Sequence, residues 1–169
     1  KTRFLNPSQL NTLGIPATVS NIIAVGSYNA RTDTLSTFSG RGSNSPCLEQ
    51  IRPDIAAPGE EILGPLPGGG YDTKTGTSMA TPQVAGICAL FTEWGIVKGN
   101  DPYLFGQRLK YYLVKGAKRN RSDINYPNSL WGYGTICASE SFSILNNDIS
   151  GVKSREEFEN NVQDTGLIN

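Results

Sequence analysis

Short apolar runs alternate with polar stretches rich in glycine, proline and asparagine along most of this chain. The runs at 21–28 and 52–58 have the length of buried strands and are bounded by turn-forming residues. A further segment, 61–75, has a glycine triplet near its centre and predicts a hairpin. Polar loops are predicted at 1–20, 29–50 and 115–128.

Apolar positions recur with helical spacing in two later segments. The first predicted helix covers residues 78–94, with Pro82 expected within its first turn. The second follows Asn100-Asp101-Pro102, a sequence typical of a helix start. Its periodic positions are Leu104, Phe105, Arg108, Leu109, Tyr112 and Leu113. Because helices follow strands, we expect an α/β layer in which the first helix is buried and the second covers it.

The charge balance argues against polyanionic partners. The 169 residues carry 15 basic and 15 acidic side chains, so net charge indicates neither nucleic acid nor a membrane surface as a partner. The basic residues within 115–128 have no aromatic platform beside them, and a solvated loop explains them better than nucleic-acid binding. No apolar run reaches the 18 residues that suggest a membrane span.

The chain contains no histidine and has three cysteines, Cys47, Cys88 and Cys137. The cysteines show no C-x-x-C spacing, so no zinc site is predicted. Cys88 falls on the apolar side of the first helix and is expected to be a buried free thiol. The residues therefore predict no cofactor.

Ser78 lies where a short polar and β-branched run turns into the first helix. The small residues that would let this helix lie close to the sheet are Gly76, Ala80, Ala85 and Gly86. The N–H groups of the first turn and the helix dipole would point at the group that Ser78 attacks, and the backbone N–H of Ser78 is a candidate oxyanion donor. A simpler interpretation is a helix N-cap, where serine and threonine are common. Taken alone, a G-x-S-x-A pattern favours the N-cap.

Residues 76–86, GTSMATPQVAG, resemble the nucleophile segment of the subtilisin-like serine peptidases. Four other segments resemble elements of that family, in order: NIIAVG at 21–26, FSGRG at 38–42, RPDIAAPG at 52–59 and WGYGTIC at 131–137. Each is a common structural pattern by itself, so the order and spacing carry the resemblance. Gln83 stands where many relatives have histidine, and we interpret it as variation at the surface or around the site.

The resemblance implies the C-terminal part of a subtilisin-like domain, an α/β fold with a parallel, Rossmann-like three-layer sheet. The family has the chain order Asp, His, Ser, so the catalytic Asp and His are expected before Lys1. The family's oxyanion asparagine is expected there too, because neither Asn6 nor Asn11 has the G-N-x-G context. We expect an incomplete sheet in residues 1–145 and a tail, or the start of a following segment, in 146–169.

The segment Leu13-Gly14-Ile15-Pro16-Ala17 falls where the family places the far wall of the pocket for the substrate residue before the scissile bond. Gly14 and Ala17 would leave this pocket deep and apolar, which suits a large uncharged side chain. The resemblance also indicates a cis peptide at Ile15–Pro16, although proline in an ordinary loop is usually trans.

Two functions are compatible with these features. In the first, Ser78 is the nucleophile of a serine endopeptidase that hydrolyses protein or peptide substrates through an acyl-enzyme, and the chain alone is inactive. In the second, a non-catalytic relative serves as a binding or regulatory module. The intact Ser78 segment favours the first. The resemblance allows calcium and an extracellular or cell-surface location, neither of which can be read from the residues. An incomplete sheet also predicts self-association through its exposed surface.

Overall fold

The computed structural model describes residues 7–43 and 50–148. Its strands are β1 (Val25–Asn29), β2 (Thr34–Leu35), β3 (Ile55–Pro58), β4 (Ile62–Pro65) and β5 (Tyr71–Lys74). Its helices are α1 (Thr77–Thr92), which continues into a π-helical segment (Glu93–Val97), α2 (Gly106–Lys115) and α3 (Ala138–Asp148).

Two separate sheets form within the described residues. The larger has the strand order β2-β1-β3, with β1 parallel to β3 and antiparallel to β2. Val25 is in register with Ile55 in the parallel pair. The smaller sheet is the antiparallel hairpin of β4 and β5, as the glycine triplet predicts. Helix α1 follows the strands in the chain and packs on both members of the parallel pair, so the expected α/β fold with an incomplete parallel sheet is confirmed.

Both strands of the parallel pair are shorter than the apolar runs predict. They begin at Val25 and Ile55, whereas the sequence predicts starts at 21 and 52. Just before these strand starts, Ala24 and Asp54 are joined by a side chain: Asp54 Oδ2 accepts the N–H of Ala24 at 2.6 Å. A carboxylate therefore supplements the main chain at this end of the pair.

The glycine-rich segment 131–137 lies along the other edge of β3. Ala56 donates its N–H to the carbonyl of Gly134 at 2.9 Å and accepts the N–H of Ile136 at 2.8 Å. Gly132 has a φ of 60°, and a Cβ on it would lie 2.3 Å from the carbonyl oxygen of Pro53. Glycine is thus required for the close approach of the two backbones.

Helix α1 begins one residue earlier than predicted and contains Pro82 in its second turn. The expectation that Pro82 lies in the first turn is wrong. A proline at this position cannot donate to the carbonyl four residues earlier, which belongs to Ser78. The helix continues in spite of that lost hydrogen bond and changes to π-helical geometry only after Thr92.

Only one side of α1 is buried, so the expectation of a buried first helix is wrong for the described residues. The buried side packs on β1 and β3 and includes Ala80, Val84 and Phe91. The exposed residues of the opposite side include Ala85, Gly86, Ala89 and Leu90. Ala85 and Gly86 therefore do not serve a close approach to the sheet. Helix α2 packs mainly against α3.

Helix α2 begins at Gly106, later than its predicted cap at residues 100–102. Asp101 is buried and accepts a hydrogen bond from Arg108 Nε at 2.7 Å, while its carbonyl accepts the N–H of Leu104. These bonds hold residues 101–104 in a turn before the helix. An aspartate that resembles a cap in the sequence is used instead as the partner of a buried arginine.

Some predictions fall on residues outside those described. Cys47, Asn6 and the segment 149–169 belong to this group. Helix α3 continues to Asp148, past the boundary predicted between 145 and 146. The division of the chain at that boundary stays a prediction. No helix in residues 7–43 or 50–148 combines the length and apolar character needed to cross a membrane.

Candidate active site

Ser78 is the second residue of α1 and its side chain is exposed. Gly76 occupies the N-cap position, and no side chain caps the helix there. The alternative that Ser78 serves as an N-cap is therefore excluded. The serine hydroxyl stands at the solvent-facing start of a 16-residue helix.

The first turn of α1 presents main-chain donors beside Ser78. The N–H groups at the start of an α-helix have no acceptor within the helix. Met79 donates to the carbonyl of Gly76 at 2.9 Å, which closes the turn. The Ser78 N–H precedes it and lies at the positive end of the helix dipole. A main-chain N–H at such a helix start is the type of donor that can stabilise a developing oxyanion, and this role of Ser78 stays a prediction.

The turn before Ser78 is joined to the end of β3. Gly76 donates its N–H to the carbonyl of Gly59 at 2.7 Å, and Gly59 donates to the carbonyl of Tyr28 at 3.1 Å. The side-chain amide nitrogen of Gln83 lies 2.6 Å from the Pro58 carbonyl oxygen. Three hydrogen bonds therefore link the turn, the helix and the sheet within a few residues of the serine.

A cavity of about 410 Å³ opens beside the start of α1. Gly14 and Ala17 both line it, together with Thr77 and Thr81 of the helix. The rest of its wall consists of Thr12, Leu13, Pro16, Ile22, Ile23, Ala24, Val25, Phe38 and Gly40. None of these described lining residues carries a charge. The two predicted pocket residues, Gly14 and Ala17, thus line the same cavity as Thr77, the neighbour of Ser78. Their role in binding substrate stays a prediction.

The loop that contributes Gly14 and Ala17 has the geometry suggested by the resemblance. The Ile15–Pro16 peptide bond is cis. Ala17 donates its N–H to the carbonyl of Gly14 at 2.8 Å, which closes a turn around that bond. Ile15 itself is 90% exposed, so its side chain takes no part in the cavity wall.

A buried group of charges lies behind the cavity wall. Asp54 forms ion pairs with Arg52 and, at 2.6 Å, with Lys110 Nζ. Arg52 also donates to the carbonyl of Ile22 at 3.0 Å, and Asp54 accepts the N–H of Ala24. Ile22 and Ala24 line the cavity. The cluster therefore holds this part of the wall in place from its inner side.

This cluster of Arg52, Asp54 and Lys110 was not predicted from the sequence, although one signal was present. Arg52 and Asp54 are charged residues at the start of a predicted buried strand, and a buried carboxylate requires partners. Burial lowers the pKa of Lys110, and Asp54 only partly opposes that effect. Lys110 comes from α2, 56 positions later in the chain, so no local pattern could pair it with Asp54.

Within the part of the chain that the structure describes, no group of three or more Cys, Asp or Glu side chains is arranged to hold a metal ion. Cys88 is half-buried and Cys137 is buried, and both are free thiols.

The chain is similar in sequence and in structure to subtilisin-like proteases. The model of the Subtilase family, peptidase S8, matches residues 5–134. An intracellular serine protease of Paenibacillus polymyxa is 39% identical over 108 residues, which cover 62% of this chain and 30% of that protein. The subtilisin-like protease SBT3.16 of Arabidopsis thaliana is 56% identical over 57 residues, which cover 33% of this chain and 8% of that protein.

The solved structures include a similar protease from Clostridium perfringens. The CspB protease structure has a TM-score of 0.84 and 57% sequence identity, and the match covers 86% of this chain and 31% of CspB. The patellamide maturation protease PatA has a TM-score of 0.62 and 32% identity over 78% of this chain. This chain spans less than a third of CspB and of the two sequence relatives.

Proposed function

The chain belongs to the Subtilase family, and we propose that it is the part of a serine endopeptidase that carries the nucleophile, Ser78. The observation that supports this most directly is the exposed serine at the start of a helix whose turn is joined to the sheet. The longer protein that would contain this chain is called the parent protein below.

In the proposed reaction the Ser78 hydroxyl oxygen attacks the carbonyl carbon of the scissile peptide bond. A histidine of the parent takes the hydroxyl proton and then donates it to the leaving amine, and an aspartate orients that histidine. The histidine is assigned to the parent because this sequence contains none. The aspartate is assigned there too, because in this family it precedes the histidine along the chain. The Ser78 N–H donates to the oxyanion in the tetrahedral intermediate. Water then hydrolyses the acyl-enzyme.

The substrate class follows from the cavity beside α1. Its described lining is uncharged and mainly apolar, and a Cβ built on Gly14 would meet nothing within 4 Å. A charged side chain would lose its hydration there without gaining a partner. We therefore assign this cavity to a large uncharged residue on the acyl side of the scissile bond, with Gly14 and Ala17 as wall residues.

Labelling with a serine-directed fluorophosphonate tests the proposal. The parent protein should be labelled at Ser78 and should hydrolyse a chromogenic peptide ester, and Ser78→Ala should abolish both reactions while the protein remains folded. Ser143→Ala is the matched control, because it removes an exposed serine from α3 and should leave both reactions unchanged.

The isolated chain provides the second half of the test. It should show neither turnover nor labelling above its own Ser78→Ala variant, because the sequence has no histidine to take the hydroxyl proton. Stoichiometric labelling of the isolated chain would contradict the need for a base from elsewhere. A folded parent protein that is never labelled would instead favour the non-catalytic binding or regulatory module.

A further inference from the structure

Gln83 is a half-buried residue of α1 whose side chain reaches the end of β3. Its side-chain nitrogen Nε2 donates to the carbonyl oxygen of Pro58 at 2.6 Å and to that of Met79 at 3.1 Å. A primary amide nitrogen has two hydrogens, so both are used in this position. Of the two interpretations of Gln83, variation at the surface is wrong and a position around the site agrees with these contacts, because the side chain joins the residue after Ser78 to the sheet.

We propose that Gln83 is a positioning residue for the nucleophile, an inference that depends on the proposed function. Ser78 is held on both sides. Before it, Gly76 donates to the carbonyl of Gly59 at 2.7 Å. After it, Gln83 links Met79 to Pro58, the residue that precedes Gly59. The two links anchor the serine turn to adjacent carbonyls at the end of β3.

This anchoring matters because the serine hydroxyl is exposed and has little packing of its own. Its position relative to the substrate carbonyl must then be set by its neighbours. Acyl transfer is sensitive to such positioning, and a displacement of about 1 Å can cost about 100-fold in rate. Loss of one anchor should therefore reduce the rate of attack on a substrate that still binds.

The requirement at residue 83 is for donors. Both of its partners are carbonyl oxygens, which accept and cannot donate. Glutamate has nearly the same shape but would place a carboxylate against the two oxygens. Methionine has similar length and no donor. Neutral histidine has one N–H and could satisfy one of the two carbonyls.

The alternative is that Gln83 only stabilises the packing of α1 on β3. A control on the same helix separates the two roles. Thr92 Oγ1 donates to the carbonyl of Cys88 at 2.9 Å, also a side-chain bond to the main chain of α1, but at the end far from Ser78. Thr92→Val removes that bond without affecting the serine turn.

The experiment uses the parent protein and its variants Gln83→Met, Gln83→Glu, Gln83→His and Thr92→Val. The measurements are the second-order rate of fluorophosphonate labelling at Ser78, kcat and KM for a peptide ester, and the unfolding midpoint. We expect kcat and labelling rate to fall about 10- to 100-fold in the Met and Glu variants, with KM changed less than about threefold. The His variant should recover part of the rate, and Thr92→Val should keep it.

The outcomes separate this inference from the proposed function. A folded parent protein without labelling or turnover contradicts the proposed function, and with it any positioning role. If the wild type is labelled and the folded Met variant reacts at the same rate, only the inference about Gln83 is wrong. Equal losses in Thr92→Val would also overturn it, since they would indicate a general effect of helix stability. Should the Glu variant fail to fold, the Met and His variants carry the comparison.

Discussion

Gly59 is the residue at which the end of β3 and the turn before Ser78 come closest. A Cβ on Gly59 would lie 2.2 Å from Ser27 Oγ and 2.8 Å from the carbonyl oxygen of Gly76. The second of these oxygens belongs to the main chain and cannot move aside without moving the turn. The glycine of the A-P-G sequence is therefore a packing requirement of the candidate site.

Substitution of Gly59 tests this requirement. We expect Gly59→Ala to lower the stability of the parent protein by about 1–3 kcal/mol, because the added methyl group overlaps neighbouring atoms. Gly64→Ala is the control: a Cβ there meets nothing within 4 Å, and we expect a change within about 0.5 kcal/mol. Urea unfolding of both variants measures the difference. Equal stabilities would contradict the close approach at Gly59.

At the scale of elements, α1 and α2 each bury an ionisable side chain. Burial raises the pKa of the Cys88 thiol on α1 to about 11 from 9.0. Burial likewise raises the pKa of Tyr112 on α2 to about 12 from 10.0. An acid with a raised native pKa stabilises the fold fully below its unfolded pKa and ceases to do so as the pH rises through the native value.

Alkaline pH should therefore destabilise the fold over two overlapping pH ranges. For Cys88 the loss falls between pH 9 and about 11, and for Tyr112 it falls between pH 10 and about 12. We expect Cys88→Ala to flatten the fall in unfolding midpoint of the parent protein between pH 9 and 10, where an unfolded tyrosine with a pKa of 10.0 is still mostly protonated. Unfolding scans at half-unit pH steps provide the measurement.

The control for this prediction removes a different thiol. Burial acts to raise the pKa of Cys137, but a hydrogen bond from Ser139 and the nearby Lys118 contribute to lowering it overall. Cys137→Ala should therefore retain the alkaline loss of stability. An identical pH profile for wild type and Cys88→Ala would show that Cys88 does not titrate in the way its burial implies.

At the scale of the whole molecule, the described residues leave apolar surface uncovered. The exposed side of α1 includes Leu90, which is 52% exposed. A second group follows the helix, where Ile96, Val97, Tyr103 and Phe105 are all exposed. Ile55 of β3, by contrast, is fully buried. The uncovered surface belongs mainly to helices and connecting turns.

We predict that the isolated chain self-associates at micromolar concentration, because an apolar surface of this kind is rarely left exposed in a monomer. Sedimentation should detect dimers or larger species, and Leu90→Glu should shift the distribution towards monomer. Leu63→Glu is the matched control, since it places the same charge at an exposed leucine of the β4–β5 hairpin. A compact monomer with cooperative unfolding and no binding of an apolar dye would contradict the prediction.

Local patterns in the sequence determined several features of this protein. The glycine triplet predicts the β4–β5 hairpin, and the run after Gly76 predicts a helix that begins beside Ser78. These elements depend on turn residues and on spacing within a few positions, so they can be recognised without any knowledge of the fold. The order of five short segments likewise indicates the family, because order and spacing are properties of the sequence alone.

Only the tertiary structure decided which groups meet across the chain. Lys110 pairs with Asp54 from 56 positions away, and Gln83 reaches back 25 positions to the Pro58 carbonyl. The exposure of one side of α1 was also undetermined by the sequence. The apolar residues on that side predict burial, but burial depends on which elements are present to cover them. The spacing of apolar residues along the sequence predicts which residues share a face of a helix. What lies against that face is decided by contacts between distant segments, which no local pattern contains.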